Sequence, residues 1–246
     1  MLIRQQLHDR LRFLRPWLKR GDAVHTVANM TFAGDGIITR HDISRLQDQR
    51  ARRIREAAFW DLEPQPFHEH LAWRIHIATW AATTATASVP GDLVEFGVHY
   101  GVFSRAICEA IDIDNSSRNF YLVDSWGPME GSHPAYGQDI FAEVGERFKG
   151  FQSVKMIRGT VPSVLATISN VDQIAYLSLD MNDGFADHEA LRWAWSKMPK
   201  GAIIYIDDWG WDYPELRRLV GGFLTERGCD VLTFPTGNAI AMKSVP

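Results

Sequence analysis

Cysteine is nearly missing from this chain: of 246 residues only Cys108 and Cys229 carry a thiol, and they lie far apart in apolar settings. That excludes a disulfide framework and points to reduced core thiols in a cytoplasmic protein. Long apolar runs are missing too. No stretch approaches the ~20 apolar residues of a membrane span, and the amino terminus has no apolar signal-peptide core, so a soluble protein is expected. An excess of positive charge is also absent. With 26 Lys and Arg against 30 Asp and Glu, the formal net charge is −4, which gives no reason to expect nucleic acid and leaves small molecules as the default partner.

What remains is ordinary globular material, 46% hydrophobic and 23% charged, enough for one large α/β domain plus an appendage. Residues 1–88 read as a polar, helical cap rather than a sheet, interrupted at Gly21-Asp22, at the turn Gly34-Asp35-Gly36, and at Pro64 and Pro66. Leu2, Ile3, Leu7, Leu11, Leu14 and Leu18 recur at helical spacing among Arg4, Arg10, Arg12, Arg15, Lys19 and Arg20. Such a basic amphipathic helix is expected to pack on its own domain or on a second copy in a homodimer, with an anionic membrane surface as the alternative. Further helices are expected over 43–59 and 67–87.

From Asp92 onward, strands at 93–98, 120–123, 154–157, 174–179 and 202–206 alternate with helices, the signature of a doubly wound parallel sheet. Leu191, Ala194, Trp195 and Met198 mark the buried face of one helix. Runs at 230–234 and 239–243, separated by Pro235-Thr236-Gly237-Asn238, predict a closing antiparallel hairpin. The segment 127–150 is long for a connection and is expected to act as a lid.

The chemistry sits at strand ends. Ala202 to Ile206 runs into Asp207 and Asp208, and Ile174 to Leu179 into Asp180, so two strands deliver three carboxylates to the edge where α/β sheets bind ligands. Three clustered acids repel unless something cationic lies among them. The first strand leads into Glu95-Phe96-Gly97-Val98-His99-Tyr100-Gly101, whose glycines allow a tight turn and close approach to a ligand at a helix amino terminus. This is a poor match to a dinucleotide fingerprint and better suits a nucleoside without pyrophosphate. Asp124 ends the second strand, placed for a ribose diol; a turn within Asp-Ser-Trp-Gly-Pro is its other reading.

Val89-Pro90-Gly91-Asp92-Leu93-Val94-Glu95-Phe96-Gly97-Val98, Leu122-Val123-Asp124-Ser125, Leu179-Asp180 and Ile206-Asp207-Asp208 together resemble the macrocin O-methyltransferase (TylF/MycF-type) family, over roughly residues 67–246. The resemblance implies a seven-stranded class I S-adenosylmethionine-dependent methyltransferase needing a divalent metal. It places Glu95, Gly97 and Gly101 at the methionine end of the cofactor, with Val98, Tyr100 and Ser104 beside them. Asp124 and Ser125 fall at the ribose, and Arg158-Gly159-Thr160 near the adenine. Asp180 would touch cofactor, metal and acceptor alike. Departures are Asn182 for the family's second acid after the fourth strand, Val102 for a glycine, and His99-Tyr100 for its aromatic-basic pair.

Hard carboxylate oxygens favour Mg²⁺, held by Asp180, Asp207 and Asp208 with positions open for a vicinal diol. Asp180 is the candidate general base, with His99 and His133 as substitutes. His68 and His70 fall on different helix faces and read as structural. The expected acceptor is a sugar hydroxyl of a glycosylated metabolite; a catechol or other phenol is the alternative. A nicotinamide-dependent oxidoreductase and a non-catalytic relative are the competing classes, and Phe32, Phe59 and Trp60 are candidate acceptor contacts.

Overall fold

The computed structural model describes residues 29–62, 68–128, 137–211 and 213–245. The basic amphipathic stretch at 1–20, and His133 with much of the front of the expected lid, lie outside them. Among the described residues no helix is long and apolar enough to cross a membrane.

The chain enters through a hairpin, β1 (Phe32–Gly34) and β2 (Ile37–Thr39), followed by α1 (Ser44–Gln47) and α2 (Gln49–Phe59). A 3-10 turn (His68–Leu71) leads into α3 (Ala72–Ser88). Then come β3 (Asp92–Phe96), α4 (Val102–Ile111), β4 (Phe120–Asp124), α5 (Phe141–Phe148), β5 (Val154–Arg158), β6 (Ile174–Leu179), α6 (Gly184–Trp195) and β7 (Ile203–Ile206). A helical stretch from α7 (Pro214–Leu216) through a π turn (Arg217–Gly221) into α8 (Gly222–Thr225) precedes the closing pair β8 (Val231–Thr233) and β9 (Ala239–Met242).

The seven strands run in the order β5-β4-β3-β6-β7-β9-β8, parallel except for β9 against β7 and β8 against β9. Chain order reverses between β3 and β6, so the crevice at their carboxyl ends is the topological switch point where such sheets take ligands. The central strands are apolar because both faces are covered. Val94, Phe96, Leu177 and Ile204 face α6 and the α7–α8 stretch, and Leu93, Leu122, Tyr176 and Tyr205 face α3, α4 and α5. Helix α3 lies close because alanines 78, 81, 82 and 85 leave no side-chain bulk, and it ends at Val89, where Pro90 disfavours another helical residue. Leu191, Ala194 and Met198 are buried as their spacing predicted.

Differences from the sequence reading concentrate in the amino-terminal region. The expected turn at Gly34-Asp35-Gly36 is the tip of a hairpin in a stretch read as helical. Asp35 and Gly36 both take left-handed backbone (φ 48° and 76°), as two-residue hairpin turns require. The single helix expected over 43–59 divides at Asp48, whose extended backbone ends α1 while its carboxylate accepts from Ala51 N (2.7 Å) to cap α2. Within 127–150, the described second half forms α5, with Val144 and Phe148 buried in the core.

Candidate functional site

Backbone pairing carries the parallel ladder one residue past each strand and fixes the site. Gly97 N donates to Val123 O (3.0 Å), Asp180 N to Phe96 O (2.9 Å), Asp207 N to Leu179 O (2.9 Å) and Gly159 N to Asp124 O (2.9 Å). Beyond those bonds the chain turns sharply. A non-glycine residue in the left-handed region follows each of four neighbouring strands: His99 (φ 49°), Trp126 (44°), Asn182 (56°) and Asp208 (51°). Such backbone costs roughly 1–3 kcal/mol per residue and clusters at binding sites. Asparagine tolerates this conformation well, which gives Asn182 a structural reason to stand there.

The glycines of the β3 loop answer to neighbours within the protein. A Cβ on Gly97 (φ 82°) would stand 2.1 Å from Asp180 O, and one on Gly101 (φ 69°) 2.6 Å from the Phe148 ring. The loop that should hold a methyl donor is therefore pressed directly onto the loop carrying Asp180. Glu95 and Ser104 are brought together, but in the interior: the Ser104 hydroxyl donates to Glu95 Oε2 (2.7 Å), both residues almost wholly covered. Burial pushes the Glu95 carboxyl up to about 8, against the pull of Ser104, with Asp207 adding to the rise.

Asp124 serves both of its sequence readings. Its Oδ2 accepts from Val98 N (2.7 Å) and His99 N (2.9 Å), tying the β3 loop to β4, and its Oδ1 accepts from Trp126 N (2.7 Å) in an Asx turn. Two donors fill Oδ2, while Oδ1 also takes a long bond from the Ser125 hydroxyl (3.5 Å), which a ligand hydroxyl could displace. Ser125 O receives Arg158 Nε (3.1 Å), and the Arg158 guanidinium lies over the Phe141 ring, 5.1 Å from its centroid. Gly159 and Thr160 follow immediately, so the residues expected at ribose and adenine share one end of the edge. Val98 is buried, and Tyr100 lies edge-on to His99 at 4.6 Å between ring centroids. The Trp126 indole N–H donates to His99 O (2.9 Å).

At the other end the three acids converge. Asp180, Asp207 and Asp208 each offer an oxygen within 4.8 Å of the others'. Burial first, then Asp207 and Asp208, push Asp180 well above the ordinary carboxylate range. Asp207 rises to about 6, lifted by burial and held back by Arg74. Tyr205 donates to Asp207 Oδ1 (2.8 Å).

The cation among these acids was not foreseen. Arg74, from α3, donates through Nη1 to Asp207 Oδ2 (2.7 Å) and Asp208 Oδ1 (3.0 Å). Its Nε and Nη2 donate to Asp35 Oδ2 (2.8 Å) and Oδ1 (3.1 Å) at the hairpin tip. Burial opposes its charge, but Asp207 and Asp35 overcome that and keep it protonated. The signal was present in the sequence: Arg74 is the one Lys, Arg, Asp or Glu in the apolar helix Ala72–Ser88, and a buried arginine needs partners. One guanidinium still leaves several carboxylates in partial burial, and hard oxygens with surplus negative charge are a fit donor set for a divalent ion.

Residues 94–209, from β3 to just past β7, match the family model described as a methyltransferase domain. Solved structures agree over more of the chain. The O-methyltransferase NovP superposes with a TM-score of 0.61 at 18% identity, covering 78% of this chain and 88% of that one. The fold is that of a class I methyltransferase. The same methyltransferase fold occurs in CalS11, a TDP-rhamnose 3'-O-methyltransferase of calicheamicin biosynthesis (TM-score 0.53, 17% identity, 82% and 96% coverage). It occurs again in the O-methyltransferase TomG from Streptomyces achromogenes, solved with S-adenosylmethionine (0.54, 15%, 83% and 96%). Among curated proteins, the uncharacterized protein y4gI of Sinorhizobium fredii (strain NBRC 101917 / NGR234) is 25% identical over 154 residues, 59% of this chain. This chain spans only 16% of that protein's length.

Proposed function

We propose that this protein is an S-adenosylmethionine-dependent O-methyltransferase of the TylF/MycF type, which holds a Mg²⁺ ion at Asp180, Asp207 and Asp208 and methylates one hydroxyl of a small-molecule diol. The observation that carries the reading is the contact between the two halves of the site: the Gly97 loop abuts Asp180 so closely that a methyl group would not fit between them. A methyl donor on that loop and an oxygen held at the acids would be neighbours, and alignment of reacting groups can supply much of the rate.

The cofactor supplies an electrophilic methyl group, and a bound ion would acidify and fix the acceptor hydroxyl. The chain supplies the rest. Asp124 Oδ1 takes one ribose hydroxyl, with Ser125, Gly159 and Thr160 alongside, and Gly97, Val98, Tyr100 and Gly101 bound the methionine end. Asp180, at the loop that the Gly97 turn abuts, would be the group placed to accept the acceptor hydroxyl's proton as the methyl group is transferred. Glu95 and Ser104 support the loop from below. Phe185, Trp211 and Tyr213, exposed just past β6 and β7, offer apolar faces for a ring. A sugar diol is favoured, because CalS11 is a sugar O-methyltransferase of this fold. We assign residues 1–88 to a cap that serves the acceptor or a dimer and residues 89–246 to the methyltransferase domain; the part of 127–150 that forms α5 packs into the core and is no lid.

The test is transfer of labelled methyl groups to a panel of glycosides and catechols, with calorimetry for cofactor binding. The expected result is saturable S-adenosylmethionine binding, no NAD binding, and transfer that stops with EDTA and returns with Mg²⁺. Transfer indifferent to the chelator would remove the ion from the mechanism.

A further inference from the structure

Arg74 faces two ways, and its two sets of partners differ in what else they can do. Nη1 serves Asp207 and Asp208, both members of the acid triad; Nε and Nη2 form a two-bond fork on Asp35, which lies outside it. The fork is buried, with side-chain exposures of 8% for Arg74 and 7% for Asp35, and the Trp211 ring lies over the guanidinium at 5.8 Å. Planar two-point pairing of this kind is directional and strong. A divalent ion at the triad and a guanidinium on the same carboxylates repel each other and compete for oxygens. Asp35 alone among the arginine's partners can keep it without giving up a metal ligand.

We propose that Arg74 is the counter-cation of the acid triad before an ion binds, and that Asp35 retains the guanidinium when the ion takes over Asp207 and Asp208. Arg74 and Asp35 are then positioning residues: they set the affinity of the site for the ion and tie the hairpin β1–β2 to the occupied site. This rests on the divalent-ion reading above. It also explains why a hairpin with little core of its own lies at the carboxyl edge of the sheet.

The experiment is a double-mutant cycle on the full chain, with Mn²⁺ as probe and free ion followed by electron paramagnetic resonance. Arg74→Gln should tighten Mn²⁺ binding about fivefold by removing the competitor, and Asp35→Asn should weaken it about fivefold by leaving Arg74 to the triad alone. Because Asp35 acts through Arg74, the double variant should match Arg74→Gln within about twofold. A mere loss of one nearby negative charge would instead weaken binding equally in both backgrounds, and that additivity would overturn the proposal. Should Arg74→Gln fail to fold, Arg74→Met keeps an apolar stem without the charge, and in that background Asp35→Asn should lose most of its effect; an undiminished effect contradicts the proposal. If the wild-type chain binds Mn²⁺ and the cycle is additive, only the role of Arg74 and Asp35 falls. If neither wild type nor any variant binds it, the ion reading falls with it.

Discussion

Asp124 at the end of β4 and the acids at the ends of β6 and β7 occupy equivalent places on one sheet edge and are treated in opposite ways. Asp124 receives three backbone N–H groups on its two oxygens. It locks the β3 loop to β4, and the long bond from the Ser125 hydroxyl to Oδ1 (3.5 Å) is the one a ligand could displace. Asp180, Asp207 and Asp208 face one another and share a single guanidinium between two of them. Proton affinity at that end rises for Asp180 and Asp207, first through burial and then through mutual repulsion. A carboxylate saturated by amides is a piece of architecture with one exchangeable bond; carboxylates aimed at each other invite a cation.

The sharpest way to break this contrast is to remove acids at the crowded end. Asp207→Ala or Asp180→Ala should lower methyl transfer by about two orders of magnitude or more, measured as kcat/KM with the best acceptor, because ion and acceptor oxygen lose their holder. Unchanged activity in both would end the account of that site. Next comes the seam between the two ends. Gly97→Ala, with φ at 82° and its new Cβ 2.1 Å from Asp180 O, should cost roughly 3 kcal/mol or more in denaturant unfolding. A loss under ~1 kcal/mol would mean that the loops are not pressed together.

At the Asp124 end the effect should be smaller. Asp124→Asn keeps one acceptor oxygen but sets an amide N–H against backbone donors, so stability should fall by about 1–2 kcal/mol and cofactor affinity roughly tenfold, read by calorimetry. Glu95, beneath the β3 loop, should show itself as a pH slope rather than as a loss at one pH. Burial pushes its folded pKa up to about 8, above the ordinary 4.5, so the folded chain holds a proton that the unfolded chain has lost across that window. That contribution to stability is therefore complete below about 4.5 and disappears as pH rises toward 8. Glu95→Gln should lack this slope. Its stability relative to wild type should climb between pH 5 and 8 by up to ~1.4 kcal/mol per pH unit, and a flat difference would place Glu95 in a wetter setting.

Legibility in the sequence followed the same division. The sheet could be read almost to the residue, because a strand buried on both faces must be apolar throughout, as Ile174 to Leu179 is, and because charge at its end marks the edge. Asp180, Asp207 and Asp208 were visible as a group for that reason. Asp124's ligation of the β3 loop was not, since backbone donors leave no trace in side-chain identity. The hairpin was missed although Asp35-Gly36 is a strong turn signal. Its strands are three residues each and show no alternation of apolar and polar positions, so periodicity had nothing to act on. Arg74 was passed over because its helix reads as a plain alanine-rich core element, and only the fold shows that its partners lie 39 residues upstream and 133 and 134 downstream.

The most direct measurement is a Mn²⁺ titration, monitored by electron paramagnetic resonance, of the wild-type protein beside Asp180→Asn, Asp207→Asn and Asp124→Asn. The wild type should take up one ion, the first two variants should lose it, and Asp124→Asn should bind it with unchanged affinity. Equal binding by all four proteins, or a loss caused by Asp124→Asn alone, would contradict the assignment of the cation to the β6 and β7 end of the sheet.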